Sequence, residues 1–469
     1  MKKQPSSSLD AALKLTSDIF KNIDVSLYQY ENFQLIWSIY NRIHIDCSIP
    51  YYVNNKRVFK KRKSLKVYIR LRSLLIDIPL FIYSLLSILY IKLTAKKTVA
   101  IWTGDFYNAH TKGDFRLGDL YLELEKNNIR YIDFIRDNAN GIVHTVKNLL
   151  KRRKPSIYYN SLSRVCTLYG QYLPKINLHH ENSLHRDILE SQIEHISDPR
   201  KIKIFRRVFK LLGVEKFLCW EFSDRQADLI FASKLNYIKS IGFMHGAGMQ
   251  NYMAHEYMSE FVGQYKIGPD VFGTWSSWWK ELFASTSKLY KEIDVCGELR
   301  KNKIDVVNED LNHKIHTVLW ISEPLIDPEQ VIDYMSYLKN NYKLVIKKRP
   351  LTNDIFYAKL LDQFDEFKHV EVIEGDIYDA IMSCDIIVGS HSTAVLDAVK
   401  LNKPFMLVNT KKWGNYFKVD EMFFIKNIQE IDEKISLINR NYFNKIKEKY
   451  FGKDDDSGID WIINKIKEP

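Results

Sequence analysis

Ser390, His391, Ser392 and Thr393 separate an apolar run ending in Gly389 from a second apolar run, Ala394 to Val399, whose one polar member is Asp397. The first run has the β-branched content of a buried strand and the second has helical spacing. Hydroxyls at such a turn cap the first helical N–H groups or donate to phosphate oxygens, and those N–H groups carry partial positive charge. The turn suits an anion, with ordinary capping as the plain alternative. Asp397 shares a helix face with Thr393 four residues earlier. A carboxylate there can accept both hydroxyls of a ribose, or serve only as a solvated capping acid. Lys347, Lys348 and Arg349 close an earlier apolar run and supply cations for phosphate or carboxylate. Glu374 and Asp376 close another and can reach a base or ribose.

A second group could move protons. Glu221 follows the apolar run Phe217 to Trp220, with Asp224 and Arg225 a turn later, and serves either as a general base or as the ion-pair partner of Arg225. His245 follows Ser240 to Met244 and precedes Gly246, Ala247 and Gly248, where missing side chains permit close approach of backbone to a ligand. Its imidazole has the intrinsic pKa to exchange a proton near neutrality, unless it is buried and bonded to backbone. Asp105 ends the run Val99 to Trp102 after Thr103 and Gly104, and is a third candidate base.

These residues need strand ends to hold them. Strand-like runs at Val99–Trp102, Tyr131–Ile135, Phe217–Trp220, Ser240–Met244, Val271–Trp275 and Ile293–Gly297 alternate with helical stretches, including Leu117–Leu124, Arg225–Leu235 and Ser277–Phe283. After a polar stretch, Glu298 to His316, the alternation resumes with Val318–Ser322, Lys343–Lys347, Val370–Ile373, Asp385–Gly389 and Phe405–Asn409. This pattern predicts an α/β chain with two doubly wound, Rossmann-like parallel-sheet domains, whose ligands sit beyond the strand C-termini. The expected division is a helical region over 1–97, an acceptor domain over 98–300, a linker over 301–316, a nucleotide-binding domain over 317–440 and C-terminal helices over 441–469. A chain of 469 residues accommodates about two or three domains.

The order of parts resembles the GT-B glycosyltransferases over roughly residues 99 to 440. Among them it is most similar to bacterial surface-polysaccharide enzymes, the group that holds capsule and O-antigen sialyl- and Kdo-transferases and polyol-phosphate polymerases. Two family motifs hold the nucleotide, a Lys-x-His-Pro after a C-terminal-domain strand and a Ser-Ser/Thr pair opening a later helix. Here they read Lys347-Lys348-Arg349-Pro350, with Arg in place of His, and Ser390-His391-Ser392-Thr393. A His-Gly turn in the acceptor domain corresponds to His245-Gly246. The resemblance implies transfer of a sugar from a nucleotide donor, with a cytidine-monophosphate Kdo or sialic acid first. A uridine or guanosine diphosphate sugar and a cytidine-diphosphate polyol follow. It assigns Lys347, Arg349, Ser390, His391, Ser392, Thr393, Asp397 and Glu374 to the donor, Gly246, Gly248 and Arg225 to the acceptor side, and catalysis to Glu221, His245 or Asp105. Inversion in a single displacement needs one base, with the leaving phosphate met by cations. No metal and no bound cofactor are expected. A sugar-nucleotide epimerase of the same fold and a non-catalytic scaffold of a polysaccharide-assembly complex are the alternatives.

Composition narrows the partners. Hydrophobic residues are 46% and charged residues 27%, a globular balance. The net charge of +12 is not accompanied by a nucleic-acid motif, and no nucleic-acid partner is expected. Much of the excess lies between Lys56 and Arg72, directly before Leu74 to Ile91, which is apolar apart from Asp77 and serines. Such a pair fits an interfacial anchor on an anionic membrane, or a buried helix beside a solvated basic segment. Asp77 and Pro79 are expected to interrupt a full span early. The five cysteines stand singly, which suits a reducing compartment, and Met1 to Asp10 lacks the apolar core of a secretory signal. The expected place is the cytoplasmic face of a bacterial inner membrane, beside a glycan or lipid-linked glycan acceptor.

Overall fold

A computed structural model describes residues 8–53, 66–94, 97–105, 107, 112–137, 142–152, 154–170, 172–220, 226–244, 267–286, 289–299, 315–323, 326–349, 354–390, 394–408, 421–437, 440–452 and 457–469. Helix α1 (Ser8–Lys21), a short hairpin pairing 29–30 with 33–34, and helical turns up to Val53 form an N-terminal layer. A long helix follows, α2 (Lys66–Thr94).

The first sheet contains β1 (Thr98–Gly104), β2 (Tyr131–Arg136), β3 (Ser156–Tyr158), β4 (Val214–Trp220), β5 (Lys239–Phe243), β6 (Val271–Thr274) and β7 (Glu292–Val295). Between them run α3 (Leu120–Lys126), α4 (Ile142–Arg152), α5 (Tyr159–Cys166), α6 (Ser183–Gln192), α7 (Pro199–Leu212), α8 (Ala227–Lys234) and α9 (Ser277–Thr286). The strands are all parallel in the order β3-β2-β1-β4-β5-β6-β7. β1 is buried along its whole length, as a parallel strand covered on both faces must be.

The second sheet contains β8 (Thr317–Ile321), β9 (Lys343–Lys347), β10 (Glu371–Ile373), β11 (Ile386–Gly389), β12 (Phe405–Val408) and β13 (Phe424–Ile425), in the order β10-β9-β8-β11-β12-β13 and again all parallel. Its helices are α10 (Ile332–Asn341), α11 (Ile355–Gln363), α12 (Ile377–Met382), α13 (Ala394–Lys400) and α14 (Ile431–Leu437). The chain is thus an α/β protein of two Rossmann-like parallel sheets, as its alternating pattern predicts.

The last two helices, α15 (Arg440–Phe451) and α16 (Gly458–Lys467), return to the first sheet. Trp279 Nε1 donates to the Tyr450 carbonyl at 2.7 Å, and Phe451 stacks on Trp275. Ile459, Ile462 and Ile463 share a core with Val99, Ile101, Leu120 and Leu124.

Leu299 is buried in the core beneath β1, and Glu298 pairs with the buried Lys400 of α13. Residues 300–314 lie outside the described set. Two expectations are corrected. Asp77 and Pro79 do not interrupt α2. Asp77 turns inward, where Ser161 Oγ donates to it at 2.9 Å and Arg164 lies 3.4 Å away, so its charge meets protein partners. Finally, β3, α5, α6 and α7 were absent from the sequence reading. α7 carries clear signals, with Asp198 capping its N-terminus, Pro199 at its first position and Gly213 closing it at φ 61°.

Candidate functional site

In both sheets the first strand is followed by neighbours on one side and then, from the fourth strand on, by neighbours on the other. The crevice at which the direction reverses is where open α/β sheets take ligands. It lies between β1 and β4 in the first sheet and between β8 and β11 in the second.

At the second reversal, β8 leads into Ser322 and Glu323, β11 into Ser390, and the neighbouring β9 ends in Lys347. Register places Ile321 opposite Lys347 and Trp320 opposite Val388. Ser322 Oγ donates to Asp354 at 2.7 Å, and the Tyr357 N–H donates to the same carboxylate, so Asp354 both caps α11 and fixes the serine. The Arg349 N–H donates to Asp354 as well, at 3.0 Å, while the Arg349 side chain is exposed.

Lys347 is 3% exposed and its Nζ donates to the Lys348 carbonyl at 2.6 Å. Burial pushes this ammonium below its ordinary pKa, and Asp376, Glu374 and Asp354 pull it partly back. Alternation along β9 puts Lys347 on the face of Val345, in the core that also contains Ile321, Ile387, Val395 and, from the first sheet, Phe272, Trp275 and Met244. The cation therefore stands on the sheet face turned toward the other lobe.

Gly389 is required for its size, because a Cβ there would lie 2.6 Å from a Val395 methyl. α13 is only seven residues long, so most of the anion-binding capacity of this edge rests on side chains rather than on the helix dipole. Asp397 Oδ1 lies 3.2 Å from Lys400 Nζ, and Glu374 is exposed and pairs with Lys348 at 2.8 Å. His391, Ser392 and Thr393 lie outside the described residues.

At the first reversal, Asp105 follows β1 and is buried. Thr145 Oγ1 donates to its carboxylate, and Asn148 Nδ2 donates to its carbonyl at 3.0 Å. His144 Nε2 is 2.7 Å from that carbonyl. Asp105 thereby fastens α4 to the end of β1. Beside it, Thr103 Oγ1 and the Gly104 N–H donate to Asp114 at 3.0 and 3.1 Å. Burial alone would raise the Asp114 carboxyl, but the hydrogen bonds and charge of Arg116 hold it below its usual range. The Arg116 guanidinium lies 3.9 Å above the ring of Trp220, which ends β4. Asp114 and Arg116 were missed because the residues between β1 and α3 have no periodicity, and Trp220 was read only as part of a strand. The polar loop up to Asp114 was the only signal. Glu221, Arg225, His245, Gly246 and Gly248 lie outside the described residues, although β4 and β5 end just before them.

No family model matches the chain, and no curated protein does. Among solved structures it is similar to MnaA of S. aureus with UDP, at 14% identity and TM-score 0.47 over 80% of this chain and 96% of that one. It is similar also to UDP-GlcNAc 2-epimerase of Neisseria meningitidis bound to UDP-GlcNAc, at 13% and 0.46 over 79% and 99%. A third is the glycosyltransferase SnogD of Streptomyces nogalater, at 9% and 0.43 over 79% and 99%. At TM-scores below 0.5 these likenesses carry no argument about this chain, whose fold rests on the strand orders above.

Proposed function

We propose that the protein is a nucleotide-sugar-dependent glycosyltransferase of GT-B type, with the donor nucleotide at the β8/β11 reversal and the acceptor at the β1/β4 reversal. The observation that carries this reading is the buried Lys347. A desolvated cation is costly to keep, and this one closes β9, next to β8, whose end at Ser322 borders the strand-order reversal. A donor phosphate fits that place.

In the proposed step a base takes the acceptor hydroxyl proton and the hydroxyl oxygen attacks the anomeric carbon. The bond from that carbon to the donor phosphate breaks, its electron pair stays on phosphate oxygen, and Lys347 meets the charge. Because the Asp105 carboxylate is engaged by Thr145, the base is assigned to Glu221 or His245. The reading needs no metal, so turnover should persist in a chelator. The acceptor is a glycan or lipid-linked glycan at the cytoplasmic face of the inner membrane.

Thermal shifts with cytidine monophosphate, uridine diphosphate and guanosine diphosphate test the nucleotide class, with a cytidine-monophosphate ulosonic acid the first donor and a uridine diphosphate sugar the second. No shift with any of them would leave the scaffold reading. Conversion of a nucleotide sugar to its epimer without acceptor would replace transferase by epimerase.

A further inference from the structure

Ile76, Leu80 and Tyr83 of α2 and Leu149 of α4 pack on one small core with Ile135 of β2 and Tyr158 of β3, so both helices cover the β3 edge of the first sheet. Each exposes an apolar stripe. On α2 it comprises Leu75, Ile78, Ile82, Leu86, Leu89 and Leu93; on α4 it comprises Val143, Val146 and Leu150. The exposures are large where the stripes begin, 79% at Leu75 and 81% at Val143, and still 70% at Leu150.

α4 is inverted relative to an ordinary surface helix. Its polar Thr145, Asn148 and Arg152 are buried against Asp105 and Asp133, while Val143, Val146 and Leu150 face outward among Lys147 and Lys151. α2 is long and apolar enough to cross a membrane from Leu75 to Thr94, but a third of that stretch is buried in the protein. Ser84 and Ser87 accept the outward N–H groups of Tyr158 and Ser156, which ties the helix to β3.

Charge selects the occupant. Nine Lys and Arg residues and no acid stand between Lys56 and Arg72. Within 75–94 the one acid is the buried Asp77, and α4 has none. An apolar stripe preceded in sequence by such a run of cations suits anionic lipid headgroups over acyl chains.

We propose that α2 and α4 together form a monotopic docking surface for an anionic bilayer along the β3 side of the first sheet. Direction follows from the pairing. Asp77 near the start of α2 contacts Ser161, just past the end of β3, and α4 starts beyond the end of β2, so both stripes begin at the acceptor edge. This rests on the reading above for one consequence: a lipid-linked acceptor can keep its lipid in the leaflet while its head reaches the β1/β4 reversal.

The test uses the full chain, floated with phosphatidylcholine vesicles and with vesicles of phosphatidylcholine and phosphatidylglycerol, for wild type, Leu86→Glu on α2, Leu150→Glu on α4 and the control Leu211→Glu on α7. Binding should require the anionic lipid and fall with salt. It should drop about tenfold or more in either stripe variant and not in the control. All three positions are exposed, so thermal unfolding should match wild type. Wild-type binding by Leu150→Glu would overturn the two-helix surface. So would wild-type protein that resists alkaline extraction, which indicates a span, or stripe variants that turn a dimer into a monomer without changing vesicle binding. Nucleotide thermal shifts taken without vesicles report on the function reading separately, so the two ideas can fail independently.

Discussion

The two sheets share a strand order, yet they end differently. In the second, the edge strand β10 is three residues long, partly exposed, and carries the surface pair Lys343–Glu371. A short, charged edge discourages further pairing. In the first, the edge strand β3 is fully buried beneath α2, whose serines take the N–H groups that another strand would take. One edge is protected by charge and the other by a helix, and only the helix leaves an apolar outer face. The lobe with the covered edge is also the one in which α4 is inverted. The first lobe thus presents an apolar outer face, while the second keeps conventional layers.

The functional side of this comparison breaks first. Glu221→Gln should lower turnover by about a thousandfold while nucleotide affinity stays within about twofold, measured by initial rates and calorimetry. Parallel loss of affinity would mean that the lobes do not divide the chemistry from the binding. Next, Lys347→Met should weaken nucleotide binding by about a hundredfold without lowering the melting temperature, since it removes a buried cation and keeps the bulk. An unchanged dissociation constant would place the nucleotide elsewhere.

The edges can be separated by stability. Replacing both Ser84 and Ser87 by Val should cost about 2 kcal/mol or more in denaturant unfolding, because two buried N–H groups lose acceptors. A pH-dependent effect is expected in the N-terminal layer. His44 is fully buried, and burial lowers its pKa from 6.5 to about 3. The folded state therefore binds fewer protons than the unfolded one between those values. Stability is present above pH 6.5 and is lost as pH falls toward 3, on the order of 1 kcal/mol per pH unit. His44→Gln should flatten that slope in unfolding curves taken across the interval. Smallest of all, Glu371→Ala on the exposed edge should leave the melting temperature unchanged, because a surface ion pair contributes little.

Much of the frame was legible from local patterns. The strands at Val99, Phe217, Ser240 and Val271, and the central strands of the second sheet, were readable because a parallel strand buried on both faces is largely apolar. β3 and β13 were not read: β13 is only two residues long, and β3 runs directly into α5 with no turn residue to mark its end. Asp114 and Arg116 were hidden because their roles depend on Gly104 and Trp220, neighbours in space only.

What the sequence determined by itself was the alternation of strands and helices, the cations at Lys347 to Arg349 and the basic-then-apolar order from Lys56 to Ile91, since each is a property of adjacent residues. Tertiary structure alone decided which face of α2 is buried, that α4 turns its polar side inward, and that the ends of β9, β8 and β11 set Lys347, Ser322 and Ser390 in that order along one sheet edge. The physical reason is that burial and desolvation are set by what packs against a side chain, and those partners come from strands and helices distant in the chain.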